Sequence, residues 1–148
     1  MDVKDWLRGV RGIEERIMRK KELMRRYDEL ATMATAPIDG DRVASSGVQS
    51  RIENNVVAKI MLEVDALDEL SALYQLRHDV ALVIGRVTDQ RYRDVLEMRY
   101  INAMGMQQIA DAMHYEKRWI EILHGRALNA VRAVLRDLPE IVRFYSLE

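Results

Sequence analysis

The stretch Met106-Gln107-Gln108-Ile109-Ala110-Asp111-Ala112-Met113-His114-Tyr115-Glu116-Lys117-Arg118-Trp119-Ile120 decides how the rest of the chain is read. Ile109 and Met113 stand one helical turn apart and give a short helix over 106–113 a side to bury. Ala110 is small where a second helix must cross closely. His114 is among the few non-glycine residue types enriched in the left-handed region, so a tight turn is predicted at His114-Tyr115, with Tyr115 covering the corner. A longer helix then runs from about Glu116 to Asp137. Its inward stripe is Ile120, Leu123, Ala127, Val131, Val134 and Leu138. Opposite lie Arg118, Ile122, Gly125, Asn129, Arg132 and Arg136, with Lys117 and Glu121 beside them. Pro139 is expected to stop this helix, and the apolar tail from Ile141 to Leu147 to pack back on it.

Upstream, Gly85 marks a break and Thr88 or Asp89 an N-cap, opening a helix from Gln90 to Asn102. A long helix precedes it, from about Arg51 to Ile84. Its first half carries the stripe Val56, Ile60, Val64 and Leu67, and its second half Leu73, Leu76, Val80, Val83 and Val87. Pro37, Asp39-Gly40 and Ser45-Ser46-Gly47 predict a loop between Ala34 and Ser50, long enough to be mobile or functional. A first helix is expected from Lys4 to Ala34. Its seam of Trp6, Val10, Ile13, Ile17, Lys20, Met24, Tyr27, Ala31 and Ala34 alternates steps of four and three, as in a coiled coil. The run Arg16, Arg19, Lys21, Arg25 and Arg26 between seam positions reads as a solvated face, with phosphate contact as the alternative. The expected fold class is all-α. A long antiparallel helical hairpin over 1–87, coiled-coil-like and suited to self-association as a dimer, to a partner or equally to docking onto the C-terminal part of the same chain, precedes a helix-turn-helix domain over 88–148.

Composition narrows the function. Only seven glycines and two prolines interrupt 148 residues, which favours long helices. The absence of cysteine excludes disulfides, thiolate metal sites and a Cys nucleophile. No run approaches 18 apolar residues and the first residues lack a secretory pattern, so no membrane span and a cytoplasmic location are expected. His78, His114 and His124 have no metal-ligand spacing, and Glu63, Asp65, Asp68 and Glu69 read as a solvated helix face. No enzyme, metal or cofactor is expected. The formal net charge is −1, yet between Glu116 and Arg136 five basic residues face two acidic ones. A local excess on one helix acts where the total does not.

Short helix, tight turn and longer helix is the spacing of a helix-turn-helix, and a buried stripe opposed by a basic one is what a groove-entering helix needs. The stretch Val95-Leu96-Glu97-Met98-Arg99-Tyr100, with Gln107-Gln108-Ile109-Ala110-Asp111-Ala112-Met113, Arg118-Trp119-Ile120 and His124-Gly125-Arg126-Ala127-Leu128, resembles region four of bacterial sigma factors. It is more similar still to phage and prophage transcriptional regulators built on that module, the ArpU/RinA-like late-gene group. The resemblance covers residues 90–128. It implies transcription regulation on double-stranded DNA, in contact with RNA polymerase, with Glu116, Lys117, Arg118, Glu121 and Ile122 facing bases. Arg126, Arg132 and Arg136 are candidates for phosphate contact or for salt links with Asp137 and Glu140. Gly125 suggests a close backbone approach, to DNA or to a packed helix, and Trp119 a half-buried ring against a neighbouring helix. Two other readings stand beside this one: an adaptor that binds RNA polymerase or another protein, and a phage DNA-packaging recognition subunit.

Overall fold

The computed structural model describes residues 1–34 and 46–148, and every element among them is helical. They are α1 (Val3–Val10), α2 (Ile13–Ala34), α3 (Ser46–Gly85), α4 (Gln90–Leu96), a π-helical turn (Glu97–Ile101), α5 (Met106–Met113), α6 (Lys117–Arg136) and α7 (Pro139–Tyr145). Most of the loop expected between Ala34 and Ser50 lies outside the described residues, whereas residues 46–50 already belong to α3. Among the described residues no helix is long and apolar enough to cross a membrane.

The single helix expected from Lys4 to Ala34 is in fact two. Arg11 and Gly12 separate them, and Gly12 sits at φ 72°, where a glycine carries no Cβ penalty. The seam hides the break because Gly12 falls between seam positions. Trp6, Val10, Ile13 and Ile17 are all buried across it.

Residues 1–14 and 73–148 form one compact unit, residues 15–72 another. In the first, α6 packs against α1, α4, α5 and α7. Val95, Ile109, Ala110, Ile120 and Leu123 form a fully buried cluster, with Tyr92, Met98, Met113 and Trp119 packed on it. Val3, Trp6, Leu7 and Val10 of α1 and Val80, Val83 and Ile84 at the end of α3 are buried in the same unit. Each such side chain contributes roughly 1.5–3 kcal/mol on leaving water. Asp89 caps α4 as expected, its carboxylate accepting from the Arg91 backbone N–H at 2.9 Å.

The helix expected from Gln90 to Asn102 keeps α geometry only to Leu96. Beyond it, the Asn102 N–H reaches back five residues to the Glu97 carbonyl at 2.9 Å. Pro139 does more than end α6: it stands in the first turn of α7, where its fixed φ and missing N–H cost nothing. Ile141 and Leu147 are buried, so the tail packs back as a helix. Tyr145 donates to Asp79 at 2.8 Å and its ring lies 5.4 Å from that of Trp6. Burial, together with Asp79, pushes the Tyr145 hydroxyl pKa up.

In the second unit, among the described residues, Lys20 pairs with Glu69 and Asp28 with Lys59 at 3.9 Å, linking α2 to α3. The partners run in opposite chain order. Lys20, the one polar seam position, is thereby paired. The basic run is largely matched on its own helix: Arg19 with Glu15, Arg25 with Glu22 at 2.7 Å and with Glu29 at 2.5 Å. The Arg25 guanidinium holds the Glu22 carboxyl below its ordinary range. On α3 the described residues leave the expected stripe uncovered. Val56, Ile60, Val64 and Leu67 are 43, 52, 50 and 49% exposed.

Candidate nucleic-acid interface

Backbone chemistry fixes the start and end of α5. The Gly105 N–H donates to the Gln108 side-chain carbonyl at 2.8 Å. At the other end His114 adopts φ 58° and ψ 41°, the left-handed geometry its residue type predicts, and ends the helix. The Tyr115 N–H then closes the turn on the Ala110 carbonyl at 3.0 Å. The Tyr115 ring itself is 42% exposed, so the corner is closed by backbone and not by the ring, contrary to expectation. The chain enters α6 through Glu116. Its side chain makes no capping bond, while its carbonyl accepts from the N–H groups of Trp119 and Ile120 at 3.0 and 3.2 Å.

The inward stripe of α6 is buried at Ile120, Leu123, Ala127 and Val131, and half-buried at Val134. Leu138 is buried too, but beyond the helix, as the N-cap of α7. Leu128, Leu135 and His124 join this face, which the sequence reading did not assign to them. Trp119 is half-buried against the cluster around Val95, as expected.

Every sequence-predicted site residue is exposed: Glu116, Lys117, Arg118, Glu121, Ile122, Arg126 and Arg132. Arg118, Ile122, Gly125, Arg132 and Arg136 follow one another along α6 by whole turns and share its solvent side, with Glu116, Lys117 and Glu121 near its start. Among the described residues Lys117, Arg118 and Arg136 enter no ion pair. Arg132 bonds Asn129 at 3.0 Å and pairs with Asp2 at 3.5 Å. Arg126 lies over the Trp119 ring, 5.4 Å from its centroid, a cation–π contact. The salt links expected to Asp137 and Glu140 are therefore not formed among the described residues; the partners found are Asp2 and an aromatic face. Gly125 is also corrected in part. An added Cβ there would meet nothing within 4 Å, so no packed helix demands this glycine. Chemically, the arrangement offers Lys117 and Arg118 at the positive end of a 20-residue helix dipole, with a smooth backbone two turns on.

His124 was the residue that spacing missed. It is buried, and its Nε2 lies 2.7 Å from the Tyr100 hydroxyl. Burial, with Lys4, Arg99 and Arg8 nearby, pushes its pKa down to about 4. Its partner, 24 positions earlier, sits on the π-helical turn, which helical periodicity does not foresee. No family model, curated protein or solved structure matches the chain.

Proposed function

We propose that the chain is a DNA-binding transcriptional regulator of the phage and prophage kind, in which α5 and α6 work as a helix-turn-helix. In this reading α6 enters the major groove and the protein acts with RNA polymerase in the cytoplasm of a bacterial host. The observation that carries it is the exposed side of α6, where Lys117, Arg118 and Arg136 have no acidic partner among the described residues and the opposite side is packed core. Arg118 can donate two bonds to a guanine edge, worth ~1–3 kcal/mol against a wrong base. Glu121 can accept from a cytosine amine. Arg126 and Arg132 are the phosphate-side contacts, for which Arg132 must exchange Asp2 for a backbone oxygen.

The segments of α2 and α3 that Lys20–Glu69 and Asp28–Lys59 link in opposite order serve as a coiled-coil-like hairpin. Its exposed stripe of Val56, Ile60, Val64 and Leu67 is the face through which two copies associate. Dimerisation suits a helix-turn-helix, because two recognition helices then read two half-sites.

The test is fluorescence anisotropy with duplex DNA from the protein's own genome neighbourhood, repeated at rising salt. A regulator loses affinity linearly in log salt, through counterion release from phosphates. A salt-independent signal, or none, rejects the reading. One observation favours a second reading: Glu121 is exposed beside the cations, and a net charge of −1 gives no general pull to DNA. An adaptor that binds RNA polymerase would capture it after nuclease treatment and shift no duplex. A ring-sized assembly in light scattering would instead point to a DNA-packaging subunit.

A further inference from the structure

Lys4 and Arg8 stand one turn apart on α1, which places them on one side of the helix, and Arg11 follows as its C-cap residue in an extended conformation. They line a cavity of about 460 Å³ together with Arg99 and Tyr100 of the π-helical turn and His124 of α6. That volume lies within the range of ~300–1,000 Å³ usual for ligand pockets. No carboxylate lines it. Arg8 pairs with Asp5 at 2.9 Å, on its own helix, and among the described residues Lys4, Arg11 and Arg99 enter no ion pair.

What holds two of these guanidiniums is neutral. Arg11 donates to the Ala103 carbonyl at 3.4 Å and Arg99 to the Met104 carbonyl at 3.0 Å. Both carbonyls belong to a short connection in which Ala103 takes φ 54°, a left-handed conformation that costs a non-glycine residue of order 1 kcal/mol or more. The adjoining π-helical turn is the kind of irregularity that recurs at functional sites. Burial, then the charges of Arg11 and Arg8, push the Arg99 pKa down. Four like charges gathered around one cavity repel each other, and Asp5, paired with Arg8, is the one carboxylate bonded to any of them among the described residues.

The deepest groups are Tyr100 and His124, 2 and 7% exposed. They share one hydrogen bond, and whichever of them donates it, the pair keeps one further O–H or N–H to offer. Fork-shaped guanidiniums, an ammonium and a neutral donor are the set that recognises a phosphate group.

We propose that this pocket binds a small phosphate-bearing anion, either inorganic phosphate or the phosphate of a nucleotide-sized ester. A free anion can descend to the Tyr100–His124 pair, which a phosphate tethered in a duplex backbone reaches less readily. The site is separate from the exposed side of α6 and does not depend on DNA binding.

The experiment is calorimetric titration of the full chain, with a parallel thermal melt, using inorganic phosphate in one arm and adenosine 5′-monophosphate in the other. Ionic strength is held constant with sodium chloride. Saturable heat and a raised Tm are expected in at least one arm, and which arm binds more tightly identifies the source. Arg11→Gln and Arg99→Gln should each weaken binding roughly tenfold or more, the loss of one charge-assisted bond. Arg86→Gln, which removes the same charge from an exposed site outside the pocket, should leave it unchanged. Circular dichroism verifies that each variant keeps its helices. Arg11→Gln removes only an exposed side chain, so the test survives if Arg99→Gln fails to fold. The proposal is overturned by no response beyond the chloride control, or by equal responses in Arg11→Gln and Arg86→Gln. It is also overturned if Arg11→Gln weakens duplex DNA while neither phosphate nor the nucleotide binds, which would assign the pocket to the DNA backbone.

Discussion

The stripe Ile120, Leu123, Ala127 and Val131 on α6 and the stripe Val56, Ile60, Val64 and Leu67 on α3 have the same helical spacing and similar apolar content. The first is wholly buried, and the second is about half exposed. On α6 the neighbours that cover the stripe come from the same chain, with Ile109 and Ala110 from α5 and Val95 from α4. On α3 the described residues leave the stripe open. Periodicity thus states that a face must be covered but not by what. Under the proposed dimerisation, the uncovered stripe is the face that another copy would cover.

The comparison breaks most readily at Leu123. Leu123→Ala should cost ~2–5 kcal/mol in urea unfolding, since the site is enclosed and collapses poorly. Ile60→Ala on α3 should cost the isolated chain under ~1 kcal/mol, since half of its surface is already wet. Equal losses would mean that the two stripes are equally packed.

The buried face of α6 also carries a titrating group, and α3's open stripe does not. The folded-state pKa of His124 is pushed down to about 4, below its ordinary value of 6.5. Between those values the unfolded chain takes up a proton that the folded chain refuses. Stability is therefore complete above pH 6.5 and falls toward pH 4, at up to ~1.4 kcal/mol per pH unit and on the order of 3 kcal/mol in all. Urea midpoints across this window should flatten in His124→Asn. A variant as pH-sensitive as the parent protein would assign the loss to other groups.

A third experiment sharpens the contrast on the exposed side. Ile60→Glu combined with Val64→Glu should turn a dimer into a monomer in sedimentation equilibrium while leaving the Tm of the α4–α6 core within a few degrees. Unchanged mass, or a single mass from the start, would remove the stripe's role in self-association. The smallest effect concerns Gly125. With no atom near its missing Cβ, Gly125→Ala should stabilise α6 by ~0.5–1 kcal/mol through helix propensity alone. A loss of stability would reveal a contact at this position.

Much of the region from α4 to α6 was legible because its cues are local. His114 declared the left-handed turn, Asp89 the cap, and the stripe of α6 its core side. Lys117, Arg118, Glu121 and Ile122 were placed outward by that stripe, whereas Glu116 entered only through the family resemblance. What stayed hidden depends on distant pairings. Trp6 and Val10 were read as part of a long seam, yet α1 packs on α6, and only Gly12 signalled the separation. Asp2 as the partner of Arg132 lies 130 positions away, and Tyr100 meets His124 through a π-helical turn that has no periodic signature. The cationic pocket needed three elements brought together before Lys4, Arg8 and Arg11 meant anything.

The central claim is that the solvent side of α6 grips a duplex, and the slope of log affinity against log salt measures it most directly. Arg126→Ala combined with Arg132→Ala should lower that slope by ~1 for each phosphate contact removed and weaken binding at every salt concentration. The same slope and affinity in the variant and the parent protein would contradict the account.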